Sequence, residues 1–186
     1  MHANYEGIRK LILTPKDAWQ EIEAEEVNAN RLLNDYQMVL AIIPSISGFI
    51  GWLFAGESFF AAIVWAILSY FLILIGIWAF SKSLVFFASS FECTLQEIDA
   101  FKIATYGFTP FLLSGVFYII PPLSWLAILG AYSLILACLG LSKFLHCASE
   151  KLIGMMISGC ISMLVIYLIV IFLSMRLCGL ATPFPA

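Results

Sequence analysis

Five long apolar runs, separated by short polar segments, dominate the pattern of this chain. Each run has about 18–24 residues, and about 20 residues of α-helix cross the hydrocarbon core of a bilayer. Backbone groups in lipid must be hydrogen-bonded within the protein. The pattern therefore predicts an all-α polytopic membrane protein with a bundle of five transmembrane helices. The predicted spans are residues 36–55, 58–81, 103–120, 123–142 and 152–175.

The polar N-terminal segment, residues 1–31, predicts short amphipathic helices on the cytoplasmic side. Thr14 is a typical helix cap and Pro15 a typical first helical residue. The following helix places Trp19 and Ile22 on one side. Such helices either lie in the headgroup layer or pack under the bundle, and the pattern fits both. The rest of the chain divides into a five-helix domain, residues 32–176, and a short non-cytoplasmic tail, residues 177–186.

The connection between the second and third spans also predicts helix. The second span continues in apolar residues past Lys82, as far as Phe87. Thr94 and Glu97 have the spacing of a capping box, which predicts a helix that starts there and runs into the third span.

Charge gives the orientation. Only 11% of the residues are charged and 62% are hydrophobic, whereas soluble domains carry about 25% charged residues. If the N-terminus is cytoplasmic, all basic residues except Arg176 lie inside, so the positive-inside rule predicts N-in and C-out. No basic block indicates nucleic-acid binding. The inside basic residues are Arg9, Lys10, Lys16, Arg31, Lys82, Lys102, Lys143 and Lys151.

Two of the predicted spans contain a proline, Pro44 in the first and Pro110 in the third. Proline removes a helical hydrogen bond and kinks a helix. Tyr106, Gly107 and Pro110 therefore mark either a hinge or binding notch, or a kink that only serves packing.

The order of several short motifs carries a family resemblance. They are Leu13-Thr14-Pro15-Lys16-Asp17-Ala18-Trp19, Tyr106-Gly107-Phe108-Thr109-Pro110, Pro121-Pro122, Gly130-Ala131-Tyr132-Ser133 and Gly140-Leu141. Together they resemble the Yip domain family, five-span membrane proteins named for interaction with Ypt/Rab GTPases, and in particular its short bacterial members. The resemblance covers roughly residues 8–175.

The resemblance implies a membrane protein, in the short bacterial form located in the inner membrane. The eukaryotic members imply trafficking roles and GTPase contact. This chain lacks their Asp-Leu-Tyr-Gly-Pro element and has about 35 residues before the first span. We therefore do not carry GTPase binding over to it.

Two further sets of residues are candidates for specific roles. The first would converge on the cytoplasmic face, where it forms either a soft-metal site or a solvated charged face; it comprises Glu92, Cys93, His146, Cys147 and Glu150. The second consists of small residues that let helices approach closely, and predicts helix seams or self-association; it comprises Gly48, Gly51, Gly154, Ser158 and Ser162.

The function predicted from these observations is non-enzymatic contact with lipids or other membrane proteins, without a cofactor. Catalytic constellations inside a bundle need paired carboxylates, metal ligands or a nucleophile with a base, and the pattern contains none. A small transporter or channel is the alternative, because the prolines lie beside serines and a threonine. The lack of charged residues deep in any span argues against ion or proton pathways.

Overall fold

A computed structural model describes residues 5–26, 28–147 and 149–178. Within these ranges the chain is helical, with one isolated antiparallel bridge between Thr94 and His146. The α-helices are α1 Tyr5–Leu13, α2 Pro15–Ala24, α3 Ala29–Leu32, α4 Met38–Phe54, α5 Phe59–Ser90, α6 Glu97–Gly107, α7 Thr109–Ser114, α8 Tyr132–Phe144 and α9 Ser149–Cys178. A π-helical turn, Leu33–Gln37, joins α3 to α4, and two 3₁₀ segments, Gly115–Ile119 and Pro121–Ala131, lie between α7 and α8.

Four continuous helical stretches among the described residues are long and apolar enough to cross a membrane. They are Ala29–Phe54, Phe59–Ser90, Pro121–Phe144 and Glu150–Ser174. The remaining predicted span, the third (residues 103–120), is not one helix. It divides at Phe108 into α6 and α7 and continues into the first 3₁₀ segment. The fold is therefore an apolar helical bundle, as predicted, with four such helices.

Two local predictions about the connection after α5 have different outcomes. Helix α5 does continue past Lys82, to Ser90, and α6 does begin at Glu97. The capping box, however, is wrong. Gln96 occupies the cap position, while the backbone of Thr94 pairs with His146, on the connection before α9. Thr94, which local spacing assigns to the helix cap, thus pairs with the distant residue His146 instead.

The N-terminal helices pack into the bundle rather than lying apart from it. Leu11, Ala18, Trp19 and Ile22 are fully buried and belong to the main hydrophobic core. Thr14 does precede α2, but its hydroxyl donates to the carbonyl of Lys10 instead of capping the helix (3.2 Å). Of the two arrangements that the sequence allowed, the structure therefore shows packing under the bundle.

The two span prolines behave differently. Helix α4 runs through Pro44 without interruption. At that level it meets the first 3₁₀ segment so closely that a Cβ on Gly115 would lie 2.5 Å from the Cβ of Pro44. Pro110 instead lies at the start of α7, next to the division of the third span. Glycine at position 115 lets the two backbones touch, which a larger residue would prevent.

Candidate functional site: a polar junction in the bundle

Buried polar side chains gather where the π-helical turn faces the end of α6. The hydroxyls of Tyr36 and Thr109 are hydrogen-bonded at 2.9 Å. Gln37 accepts a bond from the Thr105 hydroxyl and donates one to the carbonyl of Leu74, both at 3.4 Å. Tyr36, Gln37, Thr105 and Thr109 are all buried. π-Helical turns are rare and often occur at functional sites, so we call this cluster the polar junction.

The division between α6 and α7 is stabilised from another span. The backbone amide of Phe111, in the first turn of α7, donates to the hydroxyl of Ser133 on α8 (3.0 Å). The hydroxyl of Ser114 donates to the carbonyl of Phe111 (2.8 Å). Polar groups freed at a helix break are thus satisfied by side chains, which makes a break tolerable in an apolar environment.

Aromatic rings connect the polar junction to the N-terminal helices. Tyr106 packs edge-on against Tyr36, with ring centroids 4.8 Å apart, and against Trp19 at 6.3 Å. Trp19 in turn meets Phe144 at 6.0 Å. It lies so close to α8 that a Cβ on Gly140 would be 2.8 Å from the indole ring. The family-type residue Tyr106 therefore belongs to a series of packed rings that runs from the π-helical turn through Trp19 of α2 to Phe144 of α8.

Lys102, on α6, holds α2 in place. Its ammonium donates to the carbonyls of Ile22 (3.1 Å) and Glu25 (2.8 Å) at the C-terminal end of α2, and it is 5% exposed. The Asp99 carboxylate lies 4.0 Å away. A cation is favourable at a helix C-terminus, where carbonyls lack partners. Sequence reasoning counted Lys102 only as an inside charge, because the carbonyls it binds come from distant residues.

Ion pairs add further links on the same side of the bundle. Lys143 of α8 lies 2.9 Å from Glu23 of α2. Lys82 of α5 lies 2.9 Å from Glu97 of α6. Lys10 also pairs with Glu21, joining α1 to α2. Much of the basic charge that predicted the orientation is therefore paired with the protein's own carboxylates.

The candidate metal residues are brought only partly together. Cys93 and Cys147 lie near each other, while His146 pairs with Thr94 through its backbone and Glu92 pairs with Lys151. Burial, and next the neighbouring Cys147, raise the pKa of the Cys93 thiol to about 11, and that thiol donates to the carbonyl of Phe91 (3.6 Å). The hydrogen bond from Lys151 lowers the pKa of Glu92. In the described part of the chain, no three His, Cys, Asp or Glu side chains share a site.

The small residues predicted as seams lie between helices of the bundle. A Cβ on Gly48 would clash with the ring of Trp65, and one on Gly154 with the ring of Phe91. Ser162 of α9 is hydrogen-bonded to Ser83 of α5 (2.6 Å). Gly51 is buried on α4, and the Ser158 hydroxyl donates to the carbonyl of Gly154 in its own helix. Gly48 and Ser162 thus border α4–α5 and α5–α9 contacts, and Gly154 faces the turn after α5.

Two apolar grooves flank the polar junction, and Gln37 lines the second of them. One, of about 300 Å³, lies between the second 3₁₀ segment and α9, next to Trp125 and Tyr167. The other, of about 270 Å³, lies beside the π-helical turn, next to Trp78. Tyr36, Tyr106 and Thr109 line neither groove. The hydroxyls and the amide of the junction bond across helices, so the arrangement suits helix positioning.

Comparison with known proteins agrees with the resemblance drawn from the motifs. The family model of the Yip1 domain matches residues 9–173, which include α2, the polar junction and most of α9. No curated protein and no solved structure matches the chain. Because the family match covers most of its length, this protein belongs to the Yip1 domain family.

Proposed function

We propose that this protein is a non-enzymatic membrane scaffold that contacts other membrane proteins or lipids through its outward-facing helices. The observation that carries the proposal is the contrast between the hydrogen-bonded interior of the bundle and the apolar outer face of α9. The hydroxyls and the amide of the polar junction are hydrogen-bonded to other residues of the bundle. The apolar side chains of α9 face outward along its length, and only 11% of its most apolar window is buried.

The proposal includes five membrane crossings, with the N-terminus in the cytoplasm of a bacterial cell. Helices α6 and α7 and the first 3₁₀ segment follow one another over residues 97–119, apart from the turn at Phe108. The part after Lys102, residues 103–119, reaches about 27 Å at about 1.5 Å per α-helical and 2.0 Å per 3₁₀ residue, close to the core thickness of about 30 Å. A divided helix of this length supports a third crossing.

The burial of α2 supports an organising role for the N-terminal segment. Because Trp19 and Lys102 attach α2 to α6 and α8, the cytoplasmic helices move with the bundle instead of hanging from it. A partner bound to these helices would therefore be held at a defined position relative to the spans.

Site-specific photo-crosslinking in cells tests the scaffold proposal. A photoreactive amino acid replaces Ile157 or Ile161, which face outward on α9, and in the control it replaces Met163, which is buried on the same helix. We expect discrete protein adducts, or one enriched lipid class, from the outward positions and intramolecular links from Met163. Adducts with bulk lipid alone from every outward position would contradict the proposal.

A small transporter or channel remains the second candidate, because a π-helical turn and a divided helix meet at the polar junction. Broken helices near the bilayer midplane form the binding sites of many transporters. Flux of ions or small solutes into liposomes, abolished by Ser47→Trp at a buried position on α4, would support this candidate. No flux across such a panel, from protein with native helical content, would leave the scaffold.

A further inference from the structure

The connections before α6 and before α9 are held together by a backbone bridge. The amide of Thr94 donates to the carbonyl of His146 (3.2 Å), and the amide of His146 donates to the carbonyl of Thr94 (3.4 Å). This exchange of both bonds defines a hydrogen-bonded antiparallel pair. Next to this pair, Cys93 precedes Thr94 and Cys147 follows His146, so the register sets the two cysteines opposite each other.

This register has the geometry of a cross-strand disulfide. In antiparallel pairs, the position next to a hydrogen-bonded pair has its Cα atoms about 4.5 Å apart. Disulfides join Cα atoms about 4.4–6.8 Å apart. Cys147 is also near enough to Cys93 to raise the pKa of its thiol, while that thiol donates to the carbonyl of Phe91 (3.6 Å).

The two cysteines differ in their access to solution. Cys93 is 6% exposed, whereas Cys147 is half-buried. Cys93 lies at a groove of about 350 Å³ that is also lined by Thr94, His146 and Asp99. Lys151 and Glu92, paired with each other, lie near Cys93. A small disulfide-containing molecule therefore meets the Cys147 thiol first, with Cys93 beside it.

We propose that Cys93 and Cys147 are a modification site, a dithiol that forms a reversible disulfide by exchange with a low-molecular-weight disulfide. The Cys147 thiolate attacks one sulfur of the small disulfide, whose second half leaves as a thiol after taking a proton. The Cys93 sulfur then attacks the Cys147 sulfur, and the first half leaves as a second thiol. Two protein S–H bonds and one small S–S bond become one protein S–S bond and two small S–H bonds.

The disulfide would add a covalent link between two parts of the fold that the backbone bridge and the Glu92–Lys151 ion pair already join. Residues 93 and 147 lie on the connections that follow α5 and α8, so the link encloses α6, α7 and α8 in one covalent loop. If the connections face the cytoplasm, as the proposed topology has it, the pair is reduced at rest and oxidised only transiently. The chemistry itself does not depend on that topology or on the scaffold role.

The test uses the full-length protein in mild detergent, with Cys138, Cys160 and Cys178 replaced by serine. Protein is equilibrated with reduced and oxidised glutathione in the presence of a chelator. Free thiols are then alkylated, and the intact protein and its peptides are weighed by mass spectrometry. Cys93→Ser and Cys147→Ser in the same background are the matched controls, and the wild-type chain is mapped in parallel.

We expect loss of two hydrogen atoms and a peptide linking residues 93 and 147 in the parent. Each single variant should stop at one attached glutathione. The effective concentration of the pair should be at least about tenfold higher in the folded protein than in dodecyl sulfate. Glutathione attached separately to both cysteines, unreacted thiols, or equal linkage in folded and denatured protein would overturn the proposal. If the serine background does not fold, the linked peptide is sought in the wild-type chain, and its absence there overturns the proposal equally.

Discussion

Replacing Trp19 by alanine tests whether α2 is an integral part of the bundle. Trp19 is 1% exposed and packs against Tyr106, Phe144 and Gly140. Removal of a fully buried tryptophan side chain costs about 3–5 kcal/mol, because the cavity only partly collapses. If the N-terminal helices lose this free energy of docking, the population in which they are undocked rises by a factor of about 100 to 5,000.

Hydrogen exchange followed by mass spectrometry measures that opening, since amides in α1 and α2 exchange when the helices undock. We expect much faster exchange in peptides from residues 5–24 and little change in α5. Trp125→Ala is the matched control, because Trp125 is 67% exposed on the second 3₁₀ segment. Its α1 and α2 amides should stay within about twofold of wild type, as for other exposed sites. Exchange in Trp19→Ala as slow as in this control would refute the packing argument.

Three further predictions concern the contacts around the polar junction. Lys102→Met should lower the free energy of opening at the end of α2 by about 1.5–3 kcal/mol, because charged hydrogen bonds to two carbonyls are lost, and hydrogen exchange there should become faster accordingly. Gly115→Ala should lower the free energy of unfolding by about 1–3 kcal/mol, because the added Cβ overpacks against the proline of α4. Gly107→Ala, whose Cβ would have ordinary contacts, is the control and should change it by less than about 0.5 kcal/mol. Equal effects of the two variants would contradict the close approach of Gly115 to α4. Tyr36→Phe should cost about 0.6 kcal/mol, and a double-mutant cycle with Thr109→Val should show non-additivity if their bond forms.

The apolar pattern predicts the bundle because a helix that crosses a bilayer must be both long enough and apolar enough, and both properties are read directly from the sequence. The extension of α5 beyond Lys82 follows from local residue preferences, and the structure confirms it, whereas α6 begins two residues later than the predicted capping box would place it. The two prolines show where such preferences stop being sufficient. Pro44 lies inside a continuous helix, while Pro110 follows a break.

The difference between those two prolines arises from distant partners. Ser133, on α8, binds the amide of Phe111 after the break, and Gly115 lets the third span press on Pro44. The same reason explains why the sequence did not indicate the role of Lys102. This residue binds carbonyls 80 and 77 positions away, which no local spacing encodes.

The N-terminal helices leave the ribosome first, yet their binding place is made much later. The Tyr132 hydroxyl donates to the carbonyl of Ile12, across 120 residues of chain. At about 5–20 residues per second, translation of that interval takes about 6–24 s. During this time Trp19 lacks α8 to cover it, and for most of the interval it lacks α6 as well. Membrane insertion of the spans must therefore precede docking of α1 and α2, and these helices need a temporary apolar host, for which the adjacent bilayer surface is suited.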